Sequence, residues 1–120
     1  MAFQSVLSLQ DLPPGSMRAV TVAGTSILFV REGDQMYAME PRCGHAGGPL
    51  PEGTLQGHVV TCPWHGSQWD ARSGRALYGP YHFPGVSQPW ARILPRRRTY
   101  AVRIENGIVQ VDVERGGISG

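Results

Sequence analysis

Two short stretches limit this chain more than any other feature: Cys43-Gly44-His45 and Cys62-Pro63-Trp64-His65. Each carries one thiol and one imidazole, and sixteen residues lie between them. They hold both cysteines of the chain and two of its four histidines. Two sulfurs and two nitrogens suit a 2Fe–2S cluster in which thiolates hold one iron and imidazoles the other. Zinc accepts the same donors, but its usual spacing is C-x(2–4)-C followed by H-x(3–5)-H. Here Cys and His are mixed within each arm, and one arm has a single spacer residue. Two buried cysteines beside ordinary histidines form a third reading, since Cys often packs as a small hydrophobe. That reading leaves the repeated pairing without a reason.

The flanking residues narrow the choice. The stretch Cys43-Gly44-His45-Ala46-Gly47-Gly48-Pro49-Leu50-Pro51-Glu52-Gly53 resembles the first cluster loop of Rieske-type 2Fe–2S ferredoxins, the soluble bacterial kind serving ring-hydroxylating dioxygenases. Cys62-Pro63-Trp64-His65-Gly66-Ser67-Gln68-Trp69-Asp70, then Ser73-Gly74 and Gly79-Pro80, resembles the second loop and the covering proline loop. The resemblance spans residues 3–80 and about 95–113. It implies that Cys43 and Cys62 ligate a buried iron, while His45 and His65 ligate an outer iron and expose an imidazole edge. It also implies surrounding roles for Gly48, Trp64, Ser67 and Pro80. Glycine lets backbone approach a cluster without steric penalty. Trp64 is expected to cover the cluster and stiffen the loops. Ser67, two residues after His65, is expected to donate its hydroxyl to a bridging sulfide. Trp69 stands where high-potential relatives carry Tyr. Respiratory Rieske proteins add one Cys to each loop and join them. The matching positions here are Gly48 and Trp64, which places the chain with the ferredoxins and in a reducing compartment.

At 120 residues the chain has the size of one domain with one core. It contains no apolar run that could span a bilayer, and its first residues lack the basic region of a signal peptide. The expectation is a cytoplasmic protein without a membrane anchor. The net charge of +2 comes with eleven arginines and no lysine. The one dense basic run, Arg96-Arg97-Arg98, reads as a solvated face, so nucleic-acid binding has little support.

Strands and turns fill the pattern, with no trustworthy helical period. Strands are expected over residues 3–8, 18–22, 26–31, 35–39, 58–61, 68–71, 100–105 and 108–113. Ala23-Gly24-Thr25 and Asn106-Gly107 mark hairpins, the latter strongly. The strands point to an all-β class, a small antiparallel base barrel or sandwich, and the resemblance implies the Rieske (ISP-like) fold with an inserted cluster-binding subdomain. As a single domain over 1–120, the base occupies about 3–40 and 96–113, and the cluster-binding subdomain about 41–80. Residues 81–95 form an inserted loop longer than the family pattern implies. His58 reads as a surface histidine, while His82 can approach the cluster without being required as a ligand.

The resemblance implies a one-electron carrier with one 2Fe–2S cluster. It would take electrons from a flavin-dependent reductase and pass them to a terminal oxygenase or another redox partner. A Rieske small subunit of a larger oxidoreductase, of nitrite-reductase or arsenite-oxidase type, is the alternative. A zinc-bearing interaction module is the more distant one. A catalytic serine is not indicated, because Ser67 lacks the G-x-S-x-G setting.

Overall fold

The computed structural model describes residues 3–44, 47–64, 66–78 and 94–114. The described residues form two antiparallel sheets. The larger contains β1 (Gln4–Ser8), β2 (Met17–Val22), β3 (Thr25–Glu32), β4 (Gln35–Met39), β9 (Thr99–Glu105) and β10 (Ile108–Asp112). Its order is β1-β10-β9-β4-β3-β2. The outer strands β1 and β2 approach one another, so the sheet curls nearly into a barrel. The smaller sheet runs β5 (Thr54–Gln56), β6 (Val59–Thr61), β7 (Gln68–Asp70), β8 (Ala76–Tyr78) in that order.

Local chemistry explains the base hairpins. Ala23-Gly24 and Asn106-Gly107 all have positive φ, at 50°, 80°, 54° and 76°. Two consecutive left-handed residues make the turn whose twist matches that of the flanking strands. The loop after β1 is clamped by Arg31, which donates through its terminal nitrogen to the carbonyls of Leu9 (3.0 Å) and Leu12 (2.9 Å).

Strand β3 joins the two halves. Side chains alternate across a strand, and here both faces are apolar. Ile27 and Phe29 enter a core inside the base with Leu12, Val22, Ala38, Tyr100, Val109 and Val111. Leu28 and Val30 enter a second core with Met39, Cys43, Leu50, Val60, Cys62, Trp69 and Ala71. β4 divides in the same way, Ala38 to one side and Met39 to the other. The small sheet therefore rests on the back of two base strands, and both cysteines lie within that contact.

The strand expectations agree to within a residue or so where they were made. β5 and β8 were not expected, and neither were the single 3-10 turns Leu9–Asp11 and Leu50–Glu52. The expected loop over 81–95 lies outside the described residues apart from Leu94 and Pro95, and so does His82. No helix of the described residues is long and apolar enough to cross a membrane.

Candidate metal centre

The two cysteine loops share one backbone frame. In the first, Cys43 N–H donates to Gly48 O (2.8 Å) and Gly47 N–H donates to Cys43 O (2.9 Å). In the second, Cys62 N–H donates to Ser67 O (2.8 Å) and Gly66 N–H donates to Cys62 O (3.1 Å). Each loop thus closes between a cysteine and the residues four and five places on. The fourth residue is a glycine in the left-handed region both times, φ 71° at Gly47 and 78° at Gly66, where a Cβ is penalised. The Gly four places after each Cys was visible in the sequence, but its meaning lies in the hydrogen bonds.

The loops also touch reciprocally. A Cβ on Gly48 would stand 2.7 Å from Cys62 Sγ and 3.2 Å from Trp64 Cδ2. No side chain fits there. On the other side, Ser67 Oγ lies 3.1 Å from Cys43 Sγ, and Ser67 is fully buried. The residue five places after each cysteine therefore meets the sulfur of the opposite loop. The Ser67 hydroxyl, expected to serve a bridging sulfide, has the Cys43 sulfur as its neighbour. A hydroxyl there donates to a thiolate, a charge-assisted bond.

Both cysteines are buried and neither is in a disulfide. Trp64 is 55% exposed. Its ring packs on Gly48, so the two positions that the resemblance matches to the extra cysteines of respiratory Rieske proteins lie side by side. Trp69 is fully buried, and its indole N–H has no hydrogen-bond partner among the described residues. His45, His65 and Pro80 lie outside the described residues.

Polar contacts hold the surrounding turns. Asp70 accepts bonds from Arg72 through N (2.9 Å), Nε (3.1 Å) and a terminal nitrogen (2.9 Å). Burial alone would push its carboxyl up, but those bonds and the Arg72 charge hold it below the ordinary carboxylate value. His58 is not simply a surface histidine. It is half-buried, and its Nδ1 lies 3.2 Å from both Glu32 oxygens, tying the turn before β6 to the end of β3. Burial, reinforced by Glu32, raises the pKa of the neighbouring Tyr37.

The arginine run also departs from the solvated-face reading. Arg96 donates through Nε to Ser73 O (2.7 Å). Arg98 donates to Val113 O (2.9 Å) and lies over Tyr100. Arg97 points inward, where its guanidinium carbon lies 5.8 Å from the centre of the Trp69 ring. In extended backbone, successive side chains alternate sides, so three identical residues take different surroundings.

Comparison with known proteins defines the class. The Rieske [2Fe-2S] domain model matches residues 2–94. Ferredoxin CarAc of Metapseudomonas resinovorans is 40% identical over 80 residues, covering 66% of this chain and 75% of that protein. The ferredoxin component of biphenyl 2,3-dioxygenase from Rhodococcus jostii (strain RHA1) is 32% identical over 97% of each. A chain in the complex of reduced oxygenase and oxidized ferredoxin of carbazole 1,9a-dioxygenase superposes with a TM-score of 0.76. It is 29% identical, with 98% of this chain and 97% of that one covered. The chain belongs to the Rieske [2Fe-2S] domain family, and its cofactor is a 2Fe–2S cluster. The residues present fit that group. Two buried sulfurs, a bare glycine against one, a hydroxyl against the other and an unpartnered buried N–H suit a sulfur-rich inorganic centre.

Proposed function

We propose that this chain is a one-electron carrier, a ferredoxin that takes electrons from a flavin-dependent reductase and delivers them to a terminal oxygenase in the cytoplasm. The observation that carries the reading is the pair of identically bonded cysteine loops, each touching the other's sulfur. The relatives named as ferredoxin components of dioxygenase systems support the partners. They also favour a carrier over a subunit of a larger oxidoreductase and over an enzyme in its own right. Thiols kept out of a disulfide fit a reducing compartment.

In this reading Cys43, His45, Cys62 and His65 hold the cluster, which supplies a one-electron couple. The base over 3–40 and 96–113 is a scaffold, and 41–80 is the cluster-binding part. Gly48 keeps the loops in contact, Trp64 packs across them, Ser67 donates to sulfur, and Pro80 belongs to the covering loop. The test is anaerobic. NADH with a flavin-containing ferredoxin reductase should bleach the visible absorption by one electron per chain. Adding a ring-hydroxylating oxygenase should restore the colour. A chain that takes up no electron contradicts the proposal.

A further inference from the structure

Arg97 stands out among the residues that the electron-carrier reading leaves without a role. Its side chain is only 16% exposed. It lies over Trp69, and its Nε is 3.0 Å from where a Cβ on Gly44 would stand. Gly44 is the residue between Cys43 and His45, so the cation rests against the first cluster loop. The backbone fixes it there, because Arg97 N–H donates to Gly74 O (2.7 Å) and Gly74 has no room for a side chain against Arg97 O. A terminal nitrogen of Arg97 reaches Glu40 Oε2 (3.3 Å), and the other Glu40 oxygen accepts from Arg98 N–H (2.6 Å).

We propose that Arg97 and Glu40 form an electrostatic pair that sets the reduction potential of the cluster. This rests on the cluster reading above. Two ferric ions, two sulfides, two thiolates and two neutral imidazoles sum to zero charge. One added electron makes the sum −1, with no bond made or broken. A cation held close therefore favours the reduced state, and a carboxylate opposes it. Such effects grow where water is displaced, and Arg97 is mostly shielded from solvent. Trp69, which the guanidinium lies over, is fully buried in the core that holds both cysteines.

Spectroelectrochemistry on intact, cluster-loaded protein tests this. Arg97→Gln should lower the equilibrium constant for reduction about three- to tenfold, a shift of roughly 30–60 mV downward for one electron. Arg97→Lys should retain most of the wild-type potential. Glu40→Gln should move the potential upward, the opposite sign, which a purely structural role would not produce. An intact cluster with an unchanged potential in Arg97→Gln overturns the proposal, as does a fall in Glu40→Gln. If Arg97→Gln fails to hold its cluster, the direction in Glu40→Gln decides alone. Absence of a 2Fe–2S spectrum in the wild-type protein would instead sink the cluster reading itself.

Discussion

The two sheets of this molecule are built on different principles. The base has strands of five to eight residues, two turns with the required left-handed residues and a core of Ile27, Phe29, Val109 and Val111. Its hydrogen bonds and buried apolar area come from the chain alone. The small sheet has four strands of three residues each. Its core includes both cysteines, and its turns are held by glycines, Asp70, Ser67, Arg96 and Arg97. Where a metal site forms only in the folded state, the free energy of metal binding is folding free energy. The base is therefore expected to stand without the cofactor, and the small sheet to depend on it.

Removing the cluster should break that contrast most visibly. After reduction and chelation, amides of β6 and β7 should lose nearly all protection from hydrogen exchange, while those of β3 and β10 stay protected. Uniform loss across both sheets would show a single cooperative unit. From the other side, Phe29→Ala removes a fully buried ring from the base core. It should cost roughly 3–5 kcal/mol, read as a lower denaturation midpoint, yet the folded fraction should keep its visible spectrum.

Much of this division was legible in the sequence, for physical reasons. Asn106-Gly107 announces its hairpin because only left-handed backbone fits the turn. The apolar run Ile27–Val30 beside the Ala23-Gly24-Thr25 turn announces a strand. The cysteines announce a metal through their donor chemistry. Strands β5 and β8 were not legible, because three residues are too few to carry a period. Their side chains are largely exposed or half-exposed, and β8 joins β7 through an irregularity in register. The inward turn of Arg97 was hidden for a similar reason. Three arginines in a row look alike until Gly74 and Glu40 fix which one faces Trp69.

Asp70 offers a smaller probe of the cluster half. Asp70→Asn should cost about 1–2 kcal/mol at neutral pH through weakened bonds to Arg72. A carboxylate with a depressed folded-state pKa contributes fully above its unfolded value of about 4 and loses that contribution as pH falls through the folded value. The gap between variant and wild type should therefore close in acid. A gap constant from pH 7 to pH 2, in thermal melts, would mean the charge is not what matters. Ser67→Ala gives the finest test. Losing a bond that favours the reduced state by ~1–1.5 kcal/mol lowers the potential by roughly 40–65 mV. An unchanged potential with the cluster intact would remove Ser67 from the account.

The most direct measurement is the metal content of protein purified from iron-replete cells, taken with its visible spectrum. About two irons and two acid-labile sulfides per chain are expected, with absorption that bleaches on reduction. Stoichiometric zinc with no visible absorption would contradict the cluster reading.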